Sequence, residues 1–228
     1  MKTIFTILLS LLLYTSGSAQ NQIGIGVNGG VSIPVDDFHQ YYSIGTGGNI
    51  QMLYDVNSAF ILVLTSGYHV WQLDENAYNK KANELELNKK FTLESQFKMI
   101  PIYLGIRYYL GRGKHRPFFS LDFGGYSYEF KLSGTINSTL PNANTVPVEI
   151  AETKKSETQT ALAVGFGYFY RLSKEWYLEI NSKYNVLSSA YTITEPDKIT
   201  TVTELNKVYG KSRKLNFVSI STGINYIF

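Results

Sequence analysis

The sequence predicts an all-β protein: an eight-stranded antiparallel up-and-down transmembrane β-barrel that follows an N-terminal signal peptide. Three observations lead to this prediction. Eight segments alternate apolar with small or polar residues at a period of two, which places the two sets on opposite faces of a strand. The connections between these segments alternate between short and long, as they do in membrane barrels. The chain also begins with an export signal.

The export signal occupies residues 1–19. Lys2 supplies the positive charge, residues 4–14 form an almost unbroken apolar run, and Gly17, Ser18 and Ala19 supply the small residues that precede cleavage. The apolar run is shorter than the roughly 20 residues that a membrane-spanning helix needs. Because the chain has no cysteine, it cannot carry the lipid anchor of a lipoprotein. We therefore expect cleavage before Gln20 and one β-barrel domain over residues 20–228.

Composition agrees with an exported barrel. The chain has 18 tyrosines, 13 phenylalanines and 19 glycines; barrels place aromatic girdles outside and small residues inside. A secreted soluble sandwich would more often contain disulfides. The formal net charge of +3 is too weak to indicate a nucleic-acid partner.

The first three predicted strands cover residues 22–33, 43–56 and 59–72. The inner face of the first strand has Gly24, Gly26 and Gly30. The inner face of the second has Gly45, Gly47, Asn49 and Gln51. The third contains a continuous apolar run, residues 60–64, so its register is the least defined. The outward sets of the first two strands are Ile23, Ile25, Val27, Val31, Ile33, Ile44, Ile50, Met52, Tyr54 and Val56.

The fourth to seventh predicted strands cover residues 97–110, 117–132, 158–172 and 176–187. Pro101 interrupts the fourth and predicts a bulge or an end, since proline forfeits a ladder hydrogen bond. The sixth has the cleanest alternation. Its outward set is Thr160, Leu162, Val164, Phe166, Tyr168 and Tyr170, against Ala161, Ala163, Gly165, Gly167 and Phe169.

The eighth predicted strand, residues 213–228, ends the chain on an aromatic residue. Its outward set is Val218, Ile220, Thr222, Ile224 and Tyr226, and the positions between them are small or polar in the middle of the run. No segment shows a convincing helical period.

The connections predict the architecture. Those after the second, fourth and sixth strands are short, whereas the stretches around residues 73–94, 133–157 and 188–212 are long and polar. Tight periplasmic turns and longer external loops are typical of outer-membrane barrels. Both ends of the mature chain are then periplasmic, and the eighth strand must pair with the first, because lipid tolerates no bare sheet edge.

Four inward charges, Arg107, Asp122, Glu179 and Lys183, predict a polar network through the lumen. An unpaired buried charge costs several kcal/mol, so we expect these groups to pair and to act as a structural plug. The interior of an eight-stranded barrel is narrow enough for side chains to fill it. We therefore expect no open channel.

Two further segments carry a family resemblance: residues 99–110, MIPIYLGIRYYL, and residues 223–228, GINYIF. With the Ala19–Gln20 junction, they resemble the outer-membrane β-barrel domain family of Bacteroidetes-type bacteria, the PorT-like or OmpX-like eight-stranded barrels. Many members have an acidic residue two before the proline, where this chain has Met99. The resemblance covers the mature chain and implies fold and location better than activity.

The resemblance also implies partners. The C-terminal strand looks like the signal that the barrel-assembly machinery reads, which assigns Phe228, Tyr226, Ile224 and Ile220 to assembly. Outer-membrane lipid and lipopolysaccharide are the expected surroundings. We expect a monomer, with an unidentified envelope protein as a further candidate partner.

Catalytic and metal chemistry find little support in the sequence. The three histidines, His39, His69 and His115, lack a partner at metal-ligand spacing. An enzyme acting on lipid A or phospholipid would need His39 or His69 with a serine and an acid. Ser66 and His69 lie three apart and so point to opposite faces of a strand. The acid would have to come from Asp36, Asp37 or Asp74. We expect no catalysis, cofactor or metal.

A basic turn, Arg112, Lys114, His115 and Arg116, is placed in the periplasm. It is either a solvated turn or a contact to inner-leaflet phosphate. The sequence thus predicts an outer-membrane barrel with a structural or surface-interaction role, such as support of another envelope system. The alternatives are a lipid A or phospholipid enzyme, a narrow pore, and a soluble periplasmic lipocalin-like binder with its apolar faces inward.

Overall fold

The chain forms one closed sheet in which each strand pairs with the next and the last pairs with the first. The computed structural model describes residues 22–85, 87, 89–111, 113–138, 147–191 and 212–228. The predicted signal peptide and most of the predicted loop at 188–212 lie outside these residues.

Within the described residues, eight antiparallel strands build the barrel, and two helices lie between strands. The strands are β1 Ile23–Val35, β2 Gly45–Asp55, β3 Phe60–Gln72, β4 Lys89–Tyr109, β5 His115–Ser138, β6 Val148–Arg171, β7 Trp176–Tyr191 and β8 Ser212–Ile227. The helices are α1 Asp36–His39 and α2 Glu75–Glu84. The predicted fold class and strand number are confirmed.

The barrel closes between β1 and β8. Their register runs from Gly24 opposite Ile227 to Val35 opposite Asn216. Beyond the ladder, the Phe228 N–H donates to the carbonyl of Ile23 at 2.8 Å. Closure therefore pairs the backbone groups that an open sheet would leave bare in hydrocarbon, as the sequence predicted.

The strand faces are also as predicted. The apolar residues of each alternating set point away from the barrel and are exposed, Phe123 by 64%. This outcome contradicts the soluble lipocalin-like alternative, which needs the apolar faces inward. In β3, where the register was least defined, Ile61, Val63, Thr65, His69 and Trp71 are buried.

An aromatic belt lies on the outer surface of β2–β4, β7 and β8, at the end of the barrel that carries the short turns. Its rings contact one another across strands: Phe60 lies 5.0 Å from Tyr108, and Trp176 lies 5.0 Å from Tyr226 between ring centroids. Such girdles sit at the membrane–water interface of outer-membrane barrels. The belt consists of Tyr54, Phe60, Tyr108, Trp176, Tyr226 and Phe228.

Three of the strands are much longer than predicted. β4 begins at Lys89, β5 continues to Ser138 and β6 begins at Val148, so most of the predicted loops at 73–94 and 133–157 is regular structure. Inward residues such as Phe91, Leu93 and Ile136 are buried there. Their outward neighbours are Lys, Glu, Thr and Ser, because this part of the sheet lies beyond the apolar band, and the composition therefore resembled a loop.

A β-bulge occurs in this extension, where the pairing of β5 with β6 shifts between Leu132 and Gly134. Gly134 adopts φ +148°, a conformation that residues with a side chain rarely adopt. The bulge changes which β6 residues face inward, and this change obscures the alternation in the sequence.

Helix α2 contradicts the expectation that no segment is helical. The Asp74 carboxylate caps it by accepting from the Ala77 N–H at 3.0 Å. Tyr78 and Ala82 are its buried residues, and these two positions alone carry the helical period. The Asn79 side chain fastens the helix to β4 by bonding both the N–H and the carbonyl of Phe91. Neither described helix is long and apolar enough to span a membrane.

The short turns after β2, β4 and β6 lie at the same end of the barrel as both described termini, as predicted. Their described residues are 56–59, 110–111, 113–114 and 172–175. The extensions of β4–β6 and the two helices lie at the opposite end.

Candidate functional site: the filled barrel interior

Three layers fill the barrel interior, and the first closes the end with the short turns. This floor cluster is apolar and aromatic, with Phe169 stacked on Tyr177 at 5.2 Å between ring centroids. Arg116 lies over the Tyr109 ring at 4.2 Å. The floor cluster consists of Leu53, Ile61, Val63, Tyr109, Phe118, Phe169, Tyr177 and Ile227.

The second layer is polar and centres on an ion pair between Arg107 of β4 and Glu179 of β7. The guanidinium donates to both carboxylate oxygens, at 2.9 and 3.1 Å. The side chains are 1% and 0% exposed. Two parallel hydrogen bonds of this kind fix the orientation of both groups as well as their distance.

Neutral side-chain amides provide further hydrogen bonds to this ion pair. Gln51 accepts from Arg107 at 2.7 Å and donates to Glu179 at 2.6 Å. Asn181 and Asn225 also donate to Glu179, at 2.5 and 3.0 Å. The carboxylate therefore accepts five hydrogen bonds, which offset the loss of water around a buried charge.

A second ion pair lies beside the first. The Lys183 ammonium of β7 contacts the Asp122 carboxylate of β5 at 2.8 Å. Lys183 is 12% exposed and Asp122 is 1% exposed. The structure therefore places all four predicted lumen charges in the interior, as two ion pairs.

Each of the four charges lies opposite a small residue on a neighbouring strand. The cross-strand pairs are Arg107 with Ser120, Asp122 with Gly105, Glu179 with Gly223, and Lys183 with Gly165. A Cβ on Gly165 would come within 2.7 Å of the Lys183 side chain, and one on Gly105 would collide with the Asp122 carboxylate. The inward glycines thus provide the volume that the charged side chains occupy.

The third layer is an aromatic roof below α1 and α2. Trp71 lies at its centre, in ring contact with Phe38, Phe97 and Phe217, and its indole donates to the Ser32 carbonyl at 3.0 Å. Tyr128 stacks on Phe97 at 5.3 Å. Between this roof cluster and the ion pairs lies a polar cavity of about 30 Å³, which suits one or two water molecules.

The histidines and acids weighed for catalysis do not meet. His69 is buried against the roof cluster, with its nitrogens 3.0 Å from the Ser32 hydroxyl and 3.1 Å from the Asn49 side-chain carbonyl. Ser66 faces outward and His39 is exposed on α1. Asp74 caps α2, and Asp36 accepts from Asn216 at 2.8 Å. In the described part of the chain, no group of three or more His, Asp or Glu could hold a metal ion.

The side chains of the predicted basic turn lie partly at the rim of the barrel and partly in its interior. Lys114 lies over the outward Tyr170 ring at 4.9 Å, and His115 bonds the Tyr168 hydroxyl. Arg116 instead points inward onto the floor cluster and donates to the Ser58 carbonyl at 3.3 Å. Arg112 is outside the described residues.

The four residues assigned to assembly lie on the outer surface of β8 and at its end. Ile220 and Ile224 are exposed and Phe228 is 66% exposed, while the Tyr226 ring contacts Trp176 and Phe228.

Sequence reasoning missed the amides around Glu179. Gln51, Asn181 and Asn225 stand at inward positions of predicted strands, and a polar amide at such a position was the available signal. The approach of Gln51 and Asn225 to Glu179 depends on the barrel register, which the sequence pattern does not fix, whereas Asn181 lies two residues from Glu179 on the same strand.

Comparison with known proteins places this architecture among outer-membrane barrels. A family model described as "Outer membrane protein beta-barrel domain" matches residues 5–228. A search of curated proteins finds no match.

Solved structures of outer-membrane barrels are similar to this chain at low sequence identity. A major outer membrane protein from Thermus thermophilus is 14% identical, with a TM-score of 0.51 over 92% of this chain and 100% of that one. Ail, the attachment invasion locus protein of Yersinia pestis, is 13% identical, with a TM-score of 0.46 over 91% of this chain and 97% of that one. Neisserial surface protein A is 12% identical, with a TM-score of 0.46 over 93% and 100%.

Proposed function

The chain belongs to the outer membrane protein β-barrel domain family, and from that premise we propose that it is a closed, non-conducting barrel with a structural or surface-interaction role. The observation that carries the proposal is the filled interior. A floor cluster, two ion pairs with their amides and a roof cluster follow one another along the barrel axis. A solute would have to displace paired charges and packed rings to pass, so the lumen is built for stability rather than for transport.

The surface role is supported by the extended strands. β4, β5 and β6 continue beyond their last exposed apolar residues, Ile100, Phe123 and Leu162, to Lys89, Ser138 and Val148. This extension lies on the side opposite the short turns, where members of this family face the cell exterior. Its inward residues join the roof cluster, so the extension is a folded surface that can be presented to a partner. The partner we propose is another envelope component, and the barrel itself is proposed to be monomeric.

Export and assembly complete the proposal. We propose that residues 1–19 are removed as a signal peptide, that the barrel-assembly machinery reads Phe228, Tyr226, Ile224 and Ile220, and that the chain belongs with the PorT-like or OmpX-like barrels of Bacteroidetes-type bacteria. The outer membrane then surrounds it with phospholipid and lipopolysaccharide.

We propose no catalysis. Two arrangements support this: Ser66 and His69 lie on opposite faces of β3, and both ring nitrogens of His69 contact neutral groups, the Ser32 hydroxyl and the Asn49 amide. A lipid-modifying enzyme would need a nucleophile or an activated water beside such a histidine.

Planar-bilayer recording of the refolded mature chain tests the proposal. Electrophoresis with and without boiling first establishes the closed barrel, which migrates faster when unboiled. We expect a heat-modifiable band from the outer-membrane fraction and a silent bilayer. Discrete conductance steps would overturn the non-conducting role, and turnover of lipid A or phospholipid that is lost in His69→Ala would overturn the absence of catalysis.

A further inference from the structure

In the described chain, β4 has an edge without a strand neighbour where it extends beyond β3. β3 ends at Gln72, which lies opposite Gln96, whereas β4 begins at Lys89. Residues 89–95 therefore pair with β5 on one side and meet no described strand on the other. An edge of this kind offers its backbone N–H and C=O groups to the strand of another chain.

Helix α2 covers this edge. The Asn79 side chain donates to the Phe91 carbonyl at 2.6 Å and accepts from the Phe91 N–H at 2.8 Å. These are the two bonds that a residue of a neighbouring antiparallel strand would exchange with Phe91. Next to Asn79, the Tyr78 ring is fully buried and packs edge-on against Phe91 at 5.3 Å between ring centroids. The helix thus occupies backbone groups through which β4 would pair with another strand.

The position of α2 depends on its contacts with the barrel. The helix has ten residues, and isolated helices of this length are marginal in water. Its buried residues are Tyr78 and Ala82. Beside it, an open groove of about 490 Å³ reaches β4 at Leu93 and Ser95. Displacement of α2 would therefore expose the edge to solvent along residues 91–95.

The sequence of the edge is complementary to itself. Residues 90–94 read KFTLE. When two copies of this segment pair antiparallel with Thr92 opposite Thr92, Lys90 of each copy lies opposite Glu94 of the other. Both side chains are exposed on the outer face of the sheet, and opposite charges at directly opposite positions stabilise a sheet. The segment therefore fits a second copy of this chain.

The backbone groups agree with this register. Residues two apart on a strand direct their N–H and C=O to the same side. Phe91 bonds to α2, and the Ser95 carbonyl accepts from the Leu73 N–H at 3.0 Å, so Leu93 between them also faces the edge. In the antiparallel register Phe91 lies opposite Leu93 of the second copy, and the two residues exchange both bonds. Asn79 and the second copy thus compete for the same N–H and C=O.

We propose that α2 keeps the barrel monomeric by covering a self-complementary edge of β4, and that a second copy of this chain pairs with the edge when α2 is released. The inference rests on the proposed monomeric barrel and assigns that state to one contact. The two-fold axis of the pair stands perpendicular to the sheet, so the two barrels point in opposite directions. The pairing therefore joins barrels in detergent solution or on facing membranes, and not neighbours in one bilayer.

Disulfide formation at the two-fold axis tests the inference, because the chain has no cysteine of its own. Opposite residues of a non-hydrogen-bonded antiparallel pair have Cα atoms about 4.5 Å apart, a distance that a disulfide spans. The refolded mature Thr92→Cys chain in detergent micelles should stay monomeric under mild oxidation. Adding Asn79→Ala removes two hydrogen bonds, each contributing a factor of about five, and should raise the rate of cross-linking about 25-fold. Adding Tyr78→Ala as well should raise it further.

Thr135→Cys is the matched control, because Thr135 lies opposite Thr92 on β5, away from the edge. It should not cross-link in the Asn79→Ala background. The charges identify the register: in the Asn79→Ala/Thr92→Cys chain, Lys90→Glu should abolish cross-linking, and Lys90→Glu/Glu94→Lys should restore it.

Four outcomes would each overturn the inference: cross-linking of Thr92→Cys that Asn79→Ala does not accelerate, equal cross-linking of the Thr135→Cys control, no effect of Lys90→Glu, or no rescue by the charge exchange. The heat-modifiable band of every variant under reducing conditions reports on the barrel separately. Asn79→Ala leaves the buried Tyr78 in place, so it tests the inference even if the Tyr78→Ala chain does not fold. A folded barrel that never cross-links refutes this inference and leaves the proposed function standing.

Discussion

Arg107 and Glu179 form a two-bond ion pair inside the barrel although two strands, β5 and β6, separate the strands that carry them. The pair therefore crosses the lumen and ties two parts of the wall together. Gln51 from β2 and Asn225 from β8 bond the same carboxylate. Four strands thus contribute to the hydrogen bonds around Glu179, and this group forms only when the barrel has closed in the right register.

Removing the carboxylate should destabilise the barrel strongly. In Glu179→Ala the guanidinium of Arg107 stays buried without its partner, a change that costs about 3–5 kcal/mol in buried ion pairs. Unfolding of the variant in lipid vesicles by urea, followed by tryptophan fluorescence and electrophoretic mobility, measures the loss. The double variant Arg107→Met/Glu179→Leu removes both charges and should recover much of the stability. A double variant no more stable than Glu179→Ala would contradict this account.

A methyl group beside the second ion pair should also be costly. In Gly105→Ala the new Cβ would collide with the Asp122 carboxylate, and crowding of a packed interior costs about 1–3 kcal/mol. Gly29→Ala is the matched control, since a Cβ at this strand glycine faces outward and meets its nearest atom at 3.7 Å. The same urea experiment compares the two. Equal stability of the variants would show that Asp122 moves aside freely.

The Glu129 ion pair should titrate at an acidic pH. The Lys154 ammonium, through its hydrogen bond, holds the pKa of the Glu129 carboxyl below its ordinary value of 4.5. A lowered pKa in the folded state means that the pair stabilises the extension above the unfolded pKa and that this stabilisation is lost as pH falls through the folded pKa. NMR titration of the Glu129 carboxyl should give a midpoint below 4.5, and Lys154→Gln should raise it. A midpoint unchanged by Lys154→Gln would mean that the pair does not persist in solution; Lys90→Gln, at the far end of β4, is the control.

Period-two patterning predicted most of the barrel because one face of each strand meets hydrocarbon and cannot be polar. Within the apolar band, residues such as Ile50, Leu104 and Val164 alternate with small or polar neighbours, and their faces are as predicted. Beyond the band, water replaces lipid and the outward residues become Lys, Glu and Thr. The ends of β4–β6 and helix α2 were therefore mistaken for loops, although buried Phe91, Tyr78 and Ile136 belong to regular elements.

The interior charges were predictable one by one but not in their pairing. Their inward positions followed from strand phase, whereas the partner of Glu179 depends on the register around the whole barrel. One signal is useful in retrospect: a charged inward residue needs a small residue opposite it, as Asp122 has Gly105 and Lys183 has Gly165. Once a pairing register is assumed for all eight strands, this rule locates the polar layer.

Replacing the last side chain should impair assembly more than stability. Phe228 lies at the rim, 66% exposed, and its ring contacts the neighbouring Tyr226, so Phe228→Ala removes little buried surface. The backbone hydrogen bond from its N–H to Ile23 remains. If the residue serves as an assembly signal, the amount of heat-modifiable protein in the outer membrane should fall severalfold, while refolding of the purified variant into vesicles proceeds as in the unaltered chain. Tyr54→Ala, in the same aromatic belt but away from the C-terminus, controls for loss of an interfacial ring. Equal outer-membrane levels of Phe228→Ala and Tyr54→Ala, or a refolding defect as large as the cellular one, would assign Phe228 a structural role instead.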